Sequence, residues 1–342
     1  MLHLLLAVAL AMSPPPPRSE TETYLRWAGE QEPPNPHPAR AENWGFSADL
    51  HARIAALVRE WPGQIAPDRV GRSVDKRPIW AFRVHKPGEP VRQRVLIFAQ
   101  LHALEWIGAE VSVAFLEQIA PSPPPGVEVV VVPIANPDGR YWAEQDLMND
   151  EVHSYRRANA NGVDLNRDFA VNRDNDVLWS KLPFTKRYYT HSPAALSQPE
   201  TRALDQLGQE GFDVVVSLHA YGGYIYVPWS GLWARTPDHA ELIALGQTMA
   251  AGQERPYRVM QLCHWIFFFR ALGSELDHFY GQYGSKSYLI ELTHSGIQPL
   301  HPSTYRDYFR WYNPVDPTRD LQDGVGALQA LVRELAYGDA GR

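Results

Sequence analysis

His102-Ala103-Leu104-Glu105 places an imidazole and a carboxylate three residues apart. At a strand-to-helix turn that spacing lets both groups face one point, as a bound metal ion requires. Alone the pair says little, because polar residues on a surface loop look the same and a chain with 13 His can show it by chance. His219 adds a second imidazole. It follows Val214-Val215-Val216-Ser217-Leu218, an apolar run with no need to end in histidine, although a rim histidine with a satisfied ring is the ordinary alternative. Two imidazoles and one carboxylate would leave zinc a position open for water, the coordination of a catalytic site. Glu291 lies inside Tyr288-Leu289-Ile290-Glu291-Leu292. A carboxylate in such a strand is costly unless it is paired or functional. Beside a metal-activated water it would serve as general base and then as acid to a leaving amine; an ion-pair partner is the alternative. In Tyr155-Arg156-Arg157-Ala158 and Val163-Asp164-Leu165-Asn166-Arg167-Asp168-Phe169, an Arg beside an Asn offers a planar fork and an amide. That combination suits a carboxylate ligand, while each Arg by itself reads equally as a solvated charge.

These groups need elements to hold them. Apolar residues recur at helical spacing over Ser47–Trp61, and helices are also expected over Trp106–Ile119, Gln198–Glu210 and Leu321–Ala336. Pro78–Val84 and Arg94–Ala99 read as strands. Val127–Ile134, Phe212–Leu218 and Ser287–Leu292 are continuous apolar runs of the kind buried on both faces of a sheet. The alternation predicts an α/β fold, a single domain with a central mixed, mostly parallel sheet flanked by helices. Polar residues follow four of the strands: His102 and Glu105, Asn136-Pro137-Asp138-Gly139, His219, and Glu291. In such sheets functional groups collect at the carboxyl ends of the strands, so neighbouring strands would bring these groups to one rim.

Four blocks in order, LHALEWIG at 101–108, YRRA with GVDLNRDF at 155–169, SLHAYG at 217–222 and GSELDHFYGQYGSKSYLIEL at 273–292, resemble the zinc metallocarboxypeptidases of the carboxypeptidase A/B family. The resemblance implies a metallocarboxypeptidase-like domain with one Zn²⁺ per chain, held by His102, Glu105 and His219. It implies Glu291 as general acid/base and Arg156, immediately after the aromatic Tyr155, as the group that polarises the scissile carbonyl. Asn166 and Arg167 would grip the free C-terminal carboxylate of a peptide substrate, and Asp164 would hold the second ring nitrogen of His102. Two positions depart from the family pattern. Leu104 stands where the family usually has Arg, and Phe269 stands where it has a mobile, substrate-capping Tyr, a role for which Tyr280 is a nearby substitute. Leu276 aligns with the position that often sets side-chain preference, which implies an apolar or aromatic C-terminal residue. The function expected is removal of single C-terminal residues from peptides. The rivals are a zinc amidase or deacylase acting on N-acyl amino acids or cell-wall peptides, and a non-catalytic peptide-binding module.

Composition sets the outer bounds. The 342 residues carry 32 Lys and Arg against 39 Asp and Glu, a net charge of −7, with no basic run to suggest a nucleic-acid surface. Cys263 is the single cysteine, which excludes an intramolecular disulfide and reads as a small core residue. Leu4–Met12 is apolar but too short to span a bilayer. With small residues at Ala9, Ala11 and Ser13 it reads as a signal peptide over residues 1–13, hence export to a periplasm or medium, with a cytoplasmic location as the alternative. Residues 14–42, with Pro14–Pro17 and four further prolines, read as a linker or surface arm too short for an inhibitory pro-domain. The catalytic domain is expected over 43–338, with a tail at 339–342.

Overall fold

An uninterrupted apolar strand such as Val127–Val132 needs strand neighbours on both edges and cover on both faces. The computed structural model describes residues 19–174, 192–267, 269–294 and 305–338, and supplies both. Eight strands form one sheet: β1 (Ile65–Arg72), β2 (Pro78–Val84), β3 (Gln93–Ala99), β4 (Val127–Val132), β5 (Val214–Ala220), β6 (Tyr224–Val227), β7 (Arg258–Gln261) and β8 (Lys286–Leu292). Their spatial order is β1-β2-β4-β3-β5-β8-β6-β7. The central strands β4, β3, β5 and β8 are mutually parallel. On one side β1 and β2 run antiparallel, and on the other β6 pairs antiparallel with β8 and parallel with β7. The sheet is therefore mixed and mostly parallel, as expected.

The helices are α1 (Glu20–Gly29), α2 (Ser47–Glu60), α3 (Trp106–Ile119), α4 (Pro137–Met148), α5 (Pro199–Gly208), α6 (His239–Ala251), α7 (Glu275–Tyr283), α8 (Tyr308–Tyr312) and α9 (Thr318–Tyr337). Strand side chains alternate between faces, and the core divides accordingly. Val95, Ile97, Val129, Val131, Val214 and Val216 pack with Leu50, Ile107, Val111, Leu242 and Leu328 of α2, α3, α6 and α9. Their chain neighbours Leu96, Phe98, Val130, Val132 and Val215 pack with Leu204 and Leu207 of α5 and Phe279 of α7. Among the described residues no helix is long and apolar enough to cross a membrane.

One expectation needs correction. Within the stretch read as a linker or surface arm, residues 20–29 form helix α1 and join the core. The prolines flank this segment instead of interrupting it, and Ser19 caps it, its Oγ accepting a hydrogen bond from the Glu22 N–H at 3.2 Å. Tyr24 and Ala28, one helical turn apart, are its buried residues, and the Tyr24 ring meets Trp80 and Phe82 edge-on at 5.1 and 5.0 Å. Residues 1–13, the Pro14–Pro17 run and the tail at 339–342 lie outside the described residues.

The chain leaves β3 through Gln100, which takes a left-handed conformation (φ 58°) and reverses the backbone into the loop carrying His102. Glu105 is the residue immediately before α3. His219 lies on β5 and Glu291 on β8, directly opposite each other in register. Adjacent strands β3, β5 and β8 thus deliver all four groups to one rim of the sheet.

Candidate metal centre and peptide-binding cavity

His102, Glu105 and His219 are buried, and each offers one donor atom within 4.8 Å of the others. Nδ1 of His102 lies 2.8 Å from Oε1 of Glu105, and Nδ1 of His219 lies 2.9 Å from Oε2 of the same carboxylate. The two Nδ1 atoms are 3.1 Å apart. The outer ring nitrogens are held by carboxylates: Nε2 of His102 is 3.0 Å from Asp164 Oδ1, and Nε2 of His219 is 3.0 Å from Glu275 Oε1. A carboxylate accepts, so the outer nitrogen carries the proton and the inner one presents its lone pair. Two lone pairs and a carboxylate then converge on one point, an arrangement that calls for a cation between them. Two nitrogens and one oxygen match the ligands of a catalytic zinc site. Without the cation the groups compete for protons. Burial raises the Glu105 carboxyl, but His102 and His219 outweigh it and hold it at about 2. Burial lowers His219, but Glu105 and Glu275 outweigh it and push it well above the ordinary histidine range.

Asp164 does more than orient His102. Its Oδ2 accepts from Arg157 Nε at 2.7 Å, and its Oδ1 accepts from the Asn166 N–H at 3.0 Å, which starts a single 3₁₀ turn over Leu165–Arg167. That turn delivers Asn166 and Arg167 to the cavity holding the metal ligands. The cavity, about 390 Å³, is lined on its polar side by His102, Glu105, Arg157, Asn166, Arg167, His219 and Glu291. Its apolar side is formed by Tyr224, Tyr226, Leu262, Trp265, Phe269, Ala271 and Leu289, and Tyr155 and Tyr312 form a further wall. Burial and then the negative charge of Glu105 push the Glu291 carboxyl up to about 8.

The sequence profile of the zinc carboxypeptidase family matches residues 50–306. The chain belongs to this family. Mouse carboxypeptidase A2 is 25 % identical over 284 residues, covering 77 % of this chain and 66 % of the relative. Bovine carboxypeptidase B2 is 24 % identical over 230 residues, covering 63 % of this chain and 54 % of the relative. The chain therefore spans between half and two thirds of these relatives' length. The solved structure of carboxypeptidase A from Helicoverpa armigera superposes with a TM-score of 0.69 at 19 % identity, over 94 % of this chain and 80 % of that one, which establishes a shared fold. The His102, Glu105 and His219 group is the zinc site typical of the family.

Family likeness placed most of the site residues in the cavity, and three positions need correction. Arg156 does not line it. Its guanidinium pairs with both oxygens of Asp146, at 2.6 and 2.8 Å, and its side chain is 41 % exposed. The neighbours on either side, Tyr155 and Arg157, line the cavity instead. In a stretch that is not helical, alternate side chains point to opposite sides, so a reading in error by one residue moves the cation out of the site. Leu276 is fully buried among Tyr226, Leu262, Ala271 and Leu289, one layer behind the cavity wall. Tyr280 does not stand in for the missing capping hydroxyl: its OH donates to Asp238 at 2.6 Å and its ring packs edge-on against Trp229. Phe269 lies in the cavity wall, edge-on to Trp265 at 5.5 Å. Leu104 is buried and brings no guanidinium to the cavity.

Sequence reasoning missed three features. Arg157 was in view, but as the neighbour of the residue chosen. Tyr155 and Tyr312 place hydroxyls 3.0 Å apart in the cavity wall, and they are 157 residues apart in sequence. Glu275 opens α7, where an acidic residue is ordinary in any helix, so nothing in the sequence marked it as the partner of His219.

Proposed function

We propose that this protein is a zinc-dependent carboxypeptidase that removes single residues from the C-termini of peptides and favours apolar or aromatic ones. The observation that carries the reading is the presence of Asn166 and Arg167 in the same cavity as the metal ligands and Glu291. A carboxylate bound by the amide and the guanidinium anchors the peptide end, which confines cleavage to the last bond. The C-terminal side chain then meets the wall formed by Tyr226, Leu262, Ala271 and Leu289, which supports the apolar preference.

His102, Glu105 and His219 would hold zinc, which would supply Lewis acidity toward the scissile carbonyl and water. Glu291 removes the proton from the attacking water and transfers it to the departing amine. Arg157, oriented by Asp164, presents positive charge to the carbonyl oxygen as negative charge develops there. Phe269 and Trp265 exclude water from the apolar side. A non-catalytic binding module would have no use for a carboxyl placed and poised as Glu291 is.

The amidase or deacylase reading is favoured by one observation. With Leu104 buried, no guanidinium is offered from that position to the peptide upstream of the scissile bond, which suits a short acyl group. Export is also part of the proposal and rests on the apolar run at Leu4–Met12.

The test compares a blocked dipeptide ending in Phe with its Arg-ending, Glu-ending and C-terminally amidated counterparts, using wild type and Glu291→Gln. Release of Phe that requires a free carboxylate and Glu291 is expected. Cleavage of acylated single amino acids with no cleavage of longer peptides would move the assignment to the amidase.

A further inference from the structure

The two imidazoles of the metal site are held by different kinds of carboxylate. Asp164, behind His102, is itself neutralised: Arg157 Nε reaches its Oδ2 at 2.7 Å, and the Asn166 N–H donates to its Oδ1. Glu275, behind His219, is 1 % exposed, and among the described residues its ion-pair partner is His219 alone, with no arginine or lysine. Its Oε1 accepts from Ser217 Oγ at 2.8 Å and from His219 Nε2 at 3.0 Å. Its Oε2 is buried, with no hydrogen-bond partner among the described residues. The acid is also fixed at the backbone, since its N–H donates to Asn166 Oδ1 at 3.2 Å.

A buried carboxylate that faces only an imidazole and a hydroxyl is expensive unless the imidazole side carries positive charge, because low-dielectric surroundings penalise an uncompensated charge. The cost is relieved if positive charge arrives on the far side of the imidazole. His219 presents Nδ1 to the metal point while Glu275 holds Nε2, so a dication there and the Glu275 carboxylate would face each other through one ring. We propose that Glu275 is a positioning residue for zinc: it locks the tautomer and orientation of His219, and it supplies a negative charge, paired with no arginine among the described residues, that makes the site bind the dication tightly. On this account the hold on zinc is asymmetric. Asp164 acts mainly through geometry, its charge being spent on Arg157, whereas Glu275 acts through geometry and charge together. Its second link, to Asn166, ties the same helix N-terminus to the residues proposed to receive the substrate carboxylate.

Glu275→Gln keeps the size of the side chain and an oxygen that can accept from His219, removes the charge, and puts an NH2 in place of the second oxygen. Zinc dissociation constants would be measured by chelator competition for wild type, Glu275→Gln and Ser217→Ala, with the melting temperature of each metal-free protein as the check on folding. Loss of an outer partner of a metal-binding histidine weakens metal binding about 10- to 100-fold, and that is the rise expected for Glu275→Gln. Ser217→Ala leaves charge and imidazole contact in place and is expected to stay close to wild type. Cobalt-substituted Glu275→Gln is expected to show shifted visible bands, a signature of altered histidine donation that a merely structural role would not produce. A folded Glu275→Gln protein with the wild-type dissociation constant and cobalt spectrum overturns the proposal. Should that variant fail to fold, the wild type decides the matter: nitrogen NMR of labelled histidine in the zinc-loaded protein is expected to find Nδ1 of His219 as ligand and the proton on Nε2, and the reverse tautomer refutes it. The inference rests on the zinc site and not on which bond is cut, so none of these readouts depends on peptide hydrolysis.

Discussion

At the scale of single residues, the arginine proposed to face the carbonyl oxygen gives the most direct test of the site. Arg157 is buried against Asp164 and faces the cavity, whereas Arg156 is half-exposed and engaged by Asp146. Removing a donor aimed at developing negative charge costs about 10²- to 10³-fold in kcat. Arg157→Ala is expected to lose activity in that range, while Arg156→Ala stays within a few-fold of wild type; steady-state kinetics on one peptide substrate distinguish them, and equal losses would return the role to Arg156. Glu291 gives a prediction about pH. In the metal-free chain its carboxyl is pushed from an ordinary 4.5 up to about 8. The folded protein thus holds this proton over a range where the unfolded chain releases it. Its contribution to stability is complete below about 4.5 and is lost as pH rises through about 8. Metal-free wild type should therefore lose melting temperature across that interval relative to metal-free Glu291→Gln, which lacks the titrating group. Parallel pH profiles of the two proteins would contradict this.

At the scale of elements, the geometry of the metal centre depends on how closely α3 approaches β5. Gly108, in the first turn of α3, makes that approach feasible: a Cβ there would lie 3.0 Å from the Leu218 carbonyl oxygen and 3.2 Å from the Ala99 side chain. Glu105 precedes this helix and His219 follows Leu218, so pushing the elements apart separates two zinc ligands. Gly108→Val is expected to destabilise the fold by about 1–3 kcal/mol, the usual cost of overpacking a core. It should also reduce bound zinc, read by metal analysis of the purified protein. A variant with a lowered melting temperature but full zinc affinity would show that the ligand loop adjusts independently of the helix.

At the scale of the whole molecule, α1 extends the domain beyond its expected start at residue 43. Tyr24 is buried, its hydroxyl donates to the His51 carbonyl at 3.1 Å, and its ring closes over Trp80 and Phe82. Removing a buried aromatic ring costs about 3–5 kcal/mol, so Tyr24→Ala should lower the melting temperature by several degrees. Helix α1 packs against β1 and α2, and none of its residues lines the cavity that holds the metal ligands. Activity per folded molecule should hence be preserved at low temperature. A thermal melt together with kinetics well below the transition checks both halves of this expectation.

Local patterns carried a large part of the molecule. Pro78–Val84 and Trp106–Ile119 were legible to the residue, because apolar periodicity and turn residues act over a few positions. The parallel core and its functional rim were legible because each apolar run ended in a residue of unusual type. His102, Glu105 and His219 form the zinc group that the resemblance implied, and Glu291, Asn166 and Arg167 line the same cavity, with Asp164 against His102. What depends on direction, or on contact between distant segments, was not legible. Whether Arg156 or Arg157 faces inward is set by the rotation of one irregular strand of chain, and both read alike. Leu276 has the right character for the pocket but sits behind its wall. Helix α1 looked like a linker because prolines flank it, and only its docking on Trp80 and Phe82 makes it part of the core. Glu275 resembles any acid in a first helical turn until β5 brings His219 to it. The sequence determined which chemical groups the site contains, because those are properties of side chains. Tertiary packing decided which way each group points and what compensates its charge, because both depend on neighbours that the chain does not place side by side.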